Sequence, residues 1–395
     1  METEARHQDT DCPVCAALET TPCIRIPDVP VYCNVLHERR EAALSAPTGD
    51  MDLRFCSRCG HLFNAAFDPR RVDYTGDYEN SLHYSGRFQA YAEALARRLI
   101  DLYDLRSKTV IEIACGQGDF LRLLCSLGGN RGIGFDPGHV PARSAAAGDG
   151  GLTFIPDYYS SAYSGYGADL ICCRHALEHI HRPGDFLSML RGVIGGRDTA
   201  VFFEVPNARF TLEDLGIWDL IYEHCGYFSQ ESLRRVFEGH GFRVDRVETE
   251  FGGQFLGLYG RPGAGAAAPR VDPDLAALVT RFGQNYAEKV AHWRLRLREL
   301  RQGRRRAVLW GAGSKGVTFM NVLGVGDEVD CLIDLNPHKH GRFIPGTGHQ
   351  VRSPASLAAT RPDTVIVMNP LYRDEISAHL RAMGADAEIL VDGPA

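Results

Sequence analysis

The sequence predicts an α/β chain in three parts: a central Rossmann-like, doubly wound sheet, a small cysteine-rich unit ahead of it, and a second, smaller Rossmann-like unit behind. Three observations carry that expectation. The stretch VIEIACGQGDFLRLL, from Val110, is a buried-strand run followed at once by a glycine turn and a helix signal, and GIGFDP then closes a second strand at Asp136. Two C-x-x-C pairs, Cys12/Cys15 and Cys56/Cys59, precede it. AVLWGAGSKGVTFMNVL, from Ala307, starts another strand, glycine turn and helix. The expected divisions are 1–72, 73–262, a linker and helix at 263–302, and 303–395.

At 395 residues the chain exceeds one typical domain, and a 44% hydrophobic content supplies more than one core. A formal net charge of -7 provides no general attraction to nucleic acid or to an anionic membrane. No apolar run reaches the roughly eighteen residues of a spanning helix. The opening METEARHQDTD is polar and acidic, unlike a secretory signal. With 12 cysteines and no export signal, reduced thiols in the cytoplasm are expected, some of them metal-bound. The protein is expected to be a monomer or homodimer acting on a small molecule.

Each knuckle brings two thiolates together, and four sulfur ligands around Zn²⁺ leave no open position. A structural zinc is therefore expected on Cys12, Cys15, Cys56 and Cys59. Cys23 and Cys33 lack the knuckle spacing. The neighbouring residues carry no basic stripe with interleaved aromatics, which argues against nucleic acid. From Tyr74 to Tyr91 a tyrosine-dense segment leads into a helical run, Phe88 to Leu105. Its aromatics serve either as core and capping residues or as a lid with Tyr78, His83 and Tyr84 facing substrate.

At the central turn, Gly116 and Gly118 allow a sharp bend and leave no side chain against a ligand. The amides that open the helix at Asp119 face whatever rests there, and Asp136 can accept two ribose hydroxyls. A dinucleotide fingerprint needs a third glycine where Leu121 stands, and Glu112 would add negative charge beside a pyrophosphate. S-Adenosylmethionine suits the site better: it has no phosphate, and Glu112 can sit near its cationic end. Asp157 and Tyr158 end the next short strand, where an adenine edge could be met.

The run ADLICCRHALEHIHRPGDFL reads as a buried strand with His175, Glu178 and His179 at its carboxyl end. H-x-x-E-H resembles an inverted zinc-protease signature, but it follows a strand and no third ligand is argued by spacing. Further on, Ser229 is an N-cap for a helix from Gln230, closed by Gly241. Just before that cap, Tyr222, Glu223 and His224 cluster with Tyr227. A base near neutral pH, an orienting acceptor and phenols for a forming oxyanion are what proton abstraction needs. The alternative is a loop histidine capping the next helix. RPGAGAAAPR, from Arg261, is the clearest boundary, and a polar helix from Pro273 to Gln302 follows. At the C-terminal turn, Gly311, Gly313 and Gly316 match dinucleotide spacing, with Asp330 or Asp334 downstream and Lys315 within reach of a phosphate. NAD therefore stays open there.

Together these pieces resemble the three-domain, S-adenosylmethionine-dependent C-methyltransferases of deoxysugar biosynthesis. The likeness rests on the two knuckles, on EIACGQGDFL and RHALEHI, and on WGAGSKGVTFMN, LIDLNPHKHGRFIPGT and MNPLYRDEI near the C-terminus. It implies a zinc-binding N-terminal domain, a central class I methyltransferase domain, and a C-terminal Rossmann-like domain that helps enclose a nucleotide-sugar and binds no NAD. In that family a histidine in a Tyr-His-Glu-His stretch is the base. It falls here on His224, after Glu223, while Ile221 and Tyr222 occupy the first two positions and Tyr222 is the candidate substitute for the tyrosine. A family histidine after the fourth strand maps onto His179, and Cys115-Gly116-Gln117-Gly118 replaces the family's Asn-Asp-Gly. The resemblance implies enolate methylation of a nucleotide-linked keto-deoxysugar, with His224 as base and Tyr78, Tyr222 and His179 at the oxyanion. Alternatives are a methyltransferase acting on a non-sugar carbon, oxygen or nitrogen, a non-catalytic nucleotide-binding protein, and an NAD-dependent oxidoreductase.

Overall fold

The structure, a computed structural model, describes residues 11–74, 78–140, 151–265 and 271–392. The polar opening segment 1–10, part of the tyrosine-dense segment (75–77) and linker residues 266–270 lie outside the described residues. The amino-terminal sheet is antiparallel, with β1 (Thr21–Pro30), β2 (Thr48–Cys56) and β3 (His61–Asn64) side by side. Alternation along β2 turns Met51, Leu53 and Phe55 into the core. A two-residue strand from far along the chain, β9 (Gly226–Tyr227), pairs with β3 and completes the sheet. The first unit is thus closed by a strand that lies within the central part of the chain.

The central sheet has seven strands: β4 (Thr109–Ile113), β5 (Arg131–Phe135), β6 (Leu152–Ile155), β7 (Leu170–Arg174), β8 (Ala200–Pro206), β10 (Phe242–Glu250) and β11 (Phe255–Pro262). Their spatial order is β10-β11-β8-β7-β4-β5-β6, and β11 alone runs against its neighbours. Both faces are covered. Ile111 and Ile113 pack with Phe203 and Leu258 on one side, while Val110 packs with Cys172 and Phe202 on the other. The chain leaves β4 toward β5 and β6, then returns to place β7 on the opposite flank of β4. The crevice beyond the carboxyl ends of β4 and β7 is therefore the topological switch point, where open α/β sheets bind ligands.

The C-terminal sheet repeats this plan on a smaller scale. It holds β12 (Ala307–Trp310), β13 (Leu332–Ile333), β14 (Val351–Arg352), β15 (Thr364–Val367) and β16 (Glu388–Val391), all parallel, in the order β14-β13-β12-β15-β16. Its switch point lies beyond β12 and β15. The helix Pro273–Gln302 joins the parts. Asp272 caps it by accepting from the Asp274 amide, and Pro273 opens it. Its buried stripe, from Leu275 to Leu300, packs in one continuous core with β1, Trp218 and the C-terminal sheet. Phe319 sits between Trp218 and Trp293, with ring centroids 4.9 and 5.0 Å away. Among the described residues no helix is long and apolar enough to cross a membrane.

Candidate active site

At the end of β4 the backbone turns through the left-handed region three times, at Ala114 (φ 55°), Gly116 (φ 55°) and Gly118 (φ 85°). Ala114 holds that conformation without glycine's freedom, a strained residue of the kind that gathers at functional sites. A Cβ on Gly116 would meet nothing within 4 Å, so the space over this turn is open to a ligand. A Cβ on Gly118 would lie 2.3 Å from the Phe154 ring, which only glycine permits. Glu112 is buried behind the turn, and burial pushes its carboxyl up to about 8 against the pull of Arg174.

Asp136 stands at the end of β5, beside this turn. Its two carboxylate oxygens accept from the Gly116 and Gly138 amides, each at 2.8 Å, so the side chain expected to meet a ribose also braces the loop. Each oxygen keeps a second lone pair for a hydroxyl. Asp157 is engaged within its own loop, accepting from the Tyr158 amide and the Tyr163 hydroxyl. Across the switch point, His175 follows β7 with φ 53°, matching Ala114 on the facing strand. Its Nε2 lies 2.7 Å from Oε1 of Glu204, which also pairs with the buried Arg174 at 2.9 Å and receives the Tyr91 hydroxyl.

A cavity of about 330 Å³ opens between the residues that follow β7 and the C-terminal switch point; the β4 turn and Asp136 lie outside its lining. His175, Glu178, His179 and His224 line one side, and Gly311, Lys315 and Asn369 line the other. His179 and His224 meet edge to face, with centroids 4.8 Å apart, and the Tyr74 hydroxyl lies 2.6 Å from Nδ1 of His179. Tyr78 faces the same space, and its hydroxyl accepts from Asn34 at 3.3 Å. Burial and the neighbouring imidazoles hold His224 well below the usual histidine range, and burial takes His179 down to about 4. Both rings are neutral near pH 7.

Two expectations need correction. Tyr222, Glu223 and His224 are adjacent in sequence but point three ways, because their loop crosses the junction of all three parts. Tyr222 is buried in the amino-terminal core against Phe67, its hydroxyl accepting from the Asp68 amide at 2.9 Å, so it does not stand in for a tyrosine at the cavity. Glu223 turns its carboxylate to the Cys33 amide at 2.8 Å and has no contact with the His224 ring among the described residues. Burial pushes that carboxyl up to about 7, opposed by the Cys33 amide and the Tyr78 hydroxyl. Its place is to tie the loop to the amino-terminal unit.

Sequence reasoning passed over Tyr74, whose only signal was its place at the head of the tyrosine-dense segment. It also passed over the clasp on that segment. Asn336 donates to Glu79 at 2.9 Å, and Glu375 accepts from Ser85 Oγ at 2.7 Å and the Gly86 amide at 2.9 Å. The C-terminal unit thereby holds residues 79–86 over the cavity. Its own glycine turn is self-contained: Asp334 accepts from the Ala312 and Asn336 amides, and Lys315 pairs with Asp219 at 2.6 Å. Gly316 is required there by packing, since a Cβ would lie 2.1 Å from the Gly311 carbonyl oxygen. The dinucleotide-like spacing thus has a structural cause.

Away from the cavity, Cys12, Cys15, Cys56 and Cys59 bring their sulfurs within 4.8 Å of one another, with Cys12–Cys59 and Cys15–Cys56 each 3.5 Å apart. A tetrahedral ion about 2.3 Å from each sulfur needs sulfurs roughly 3.8 Å apart, so the four thiols fit one Zn²⁺. Such a site is coordinatively closed and lies outside the cavity lining.

Residues 84–247 match a family model described as a methyltransferase domain, and residues 274–391 match one described as the C-methyltransferase C-terminal domain. The C-methyltransferase NovU of Streptomyces niveus is 25% identical over 396 residues, spanning 93% of this chain and 91% of that protein. Solved structures with some likeness include magnesium protoporphyrin IX methyltransferase from Synechocystis PCC 6803, with 16% identity, 49% of this chain, 92% of that one and a TM-score of 0.37. Another is an S-adenosylmethionine-dependent methyltransferase from Aquifex aeolicus, with 15% identity, 42% and 89% coverage and a TM-score of 0.32. These structural likenesses are too slight to bear on activity. With the matched domains and the glycine-turn switch point together, the chain is an S-adenosylmethionine-dependent methyltransferase.

Proposed function

We propose that this enzyme methylates a carbon alpha to a ketone, and that its substrate is a nucleotide-linked keto-deoxysugar. The observation that carries this reading is the convergence of a neutral His224 with His179 and Tyr78 in one cavity whose far wall is a glycine turn and helix start. Bound at the first switch point, S-adenosylmethionine supplies an electrophilic methyl group. His224 takes the alpha proton, and the imidazolium so formed is paired with the negative charge left on the substrate. Tyr78, held un-ionised by burial and lining the cavity, redirects its hydroxyl from the Glu223 carboxylate to the developing oxyanion, while Tyr74 holds the His179 ring. The amides that open the helix at Gly313 to Gly316, on the opposite wall, suit a diphosphate. NovU, named as a C-methyltransferase, supports carbon as the acceptor.

The test is proton exchange in deuterated water with a panel of nucleotide-linked keto-sugars, followed by ¹³C-methyl transfer read by NMR. Exchange at the alpha carbon by the wild type, lost in His224→Gln, with the label then bonded to that carbon, is expected. Methylation on oxygen or nitrogen without alpha exchange would overturn the enolate step. Methylation of keto acceptors lacking the nucleotide, at equal efficiency, would overturn the substrate class.

A further inference from the structure

We propose that Glu178, His179 and His224 form a second metal site, separate from the four cysteines, which takes a first-row divalent ion such as Zn²⁺ on the wall of the cavity. One donor atom from each residue lies within 4.8 Å of the other two. Two imidazoles and one carboxylate are a donor set such ions accept, and the remaining positions would open into the cavity. Two further observations point to an ion. Oε2 of Glu178 is buried, the residue being 2% exposed, and it has no hydrogen-bond partner among the described residues. An isolated carboxylate oxygen in that position is costly, and a cation would offset the cost. Tyr74, 2.6 Å from Nδ1 of His179, fixes the ring's orientation, as outer partners of metal-bound histidines do.

Donors about 2.1 Å from a tetrahedral ion stand roughly 3.4 Å apart, so side-chain rotation has to draw the three together. His179, at the end of a short 3₁₀ turn, and His224 both line the cavity, so the ion is reached from that side. An ion on His224 occupies the lone pair that would accept a proton. Filling the site therefore silences the base.

The test titrates the purified protein, its zinc content first measured, with Co²⁺ and with Zn²⁺, followed by calorimetry and visible absorption. One further ion per chain is expected, with ligand-field absorption and no thiolate charge-transfer band. Glu178→Gln removes the anionic ligand at constant size and weakens uptake by more than about 100-fold; Tyr74→Phe leaves all three donors and weakens it roughly 10- to 100-fold. Wild-type zinc content reports that each variant has folded. No second ion, a second ion indifferent to both substitutions, or one with thiolate bands would overturn the proposal. Methyl transfer followed in parallel falls as the site fills. Absence of methyl transfer at every metal level counts against the enolate reading alone, because the binding result stands independently.

Discussion

Glu204 is the most consequential buried charge beneath the site, and replacing it with glutamine isolates its effect. It is fully buried, pairs with Arg174 at 2.9 Å, lies 2.7 Å from His175 Nε2 and accepts from Tyr91. Arg174 is itself buried, its guanidinium 4.1 Å from the Phe120 ring centroid. These partners, Arg174 first, overcome the burial penalty and bring the Glu204 carboxyl down from 4.5 to about 2. A shift of that size corresponds to about 3 kcal/mol at pH 7. Because the folded-state value is depressed, the contribution is whole above pH 4.5 and is lost as pH falls through about 2, leaving about 2 kcal/mol at pH 3.5. Removing one member of a buried pair costs about 3–5 kcal/mol by the same order of reckoning, since Arg174 is left unpaired.

Glu204→Gln keeps the shape and deletes the charge, so β7 and β8 should lose protection in native-state hydrogen exchange by roughly two to nearly four orders of magnitude at pH 7. The loss should shrink at pH 3.5, after allowance for the intrinsic exchange rate. Adding Arg174→Met should restore most of it, because a neutral pair of similar volume leaves no buried charge. S-Adenosylhomocysteine affinity should fall alongside, because His175 loses the partner that fixes it at the switch point. A protection loss below about 1 kcal/mol, or one independent of pH, would refute the reasoning.

Other outcomes follow from the same geometry. His224→Gln should lower kcat by roughly 10²- to 10⁴-fold while leaving S-adenosylhomocysteine affinity unchanged by calorimetry. The acid limb of kcat/KM should fall below pH 6.5, because burial and the facing imidazoles keep His224 neutral to lower pH; a limb at or above 6.5 would contradict this. Tyr222→Phe should cost about 1–3 kcal/mol in thermal or chemical denaturation, by leaving the Asp68 amide unpaired, and should leave kcat untouched. Cys59→Ser should lower the zinc content and the stability of the amino-terminal sheet, because Cys56 ends β2 and Cys59 lies in the turn between β2 and β3. Unchanged metal content would remove the zinc assignment.

The sequence by itself determined much of this protein. Local rules suffice for a strand run ending in Gly116 and Gly118, for paired cysteines at knuckle spacing, and for a helix from Pro273, because each depends on neighbours a few residues away. The same locality exposed a second glycine turn at Gly311 but could not say why it was there. Only the folded backbone places Gly316 against the Gly311 carbonyl and turns Lys315 to Asp219. The tertiary structure also decided which of three consecutive side chains faces the cavity. Tyr222, Glu223 and His224 lie on a loop where the three parts meet, so their directions follow from what each part leaves room for, and sequence spacing holds no record of that. Tyr74 reaches His179, and Glu375 reaches Ser85, across separations that no periodicity spans. The chemistry-bearing residues could be named from the chain, but their partners came from packing, because long-range contacts are set by the shape of the whole core.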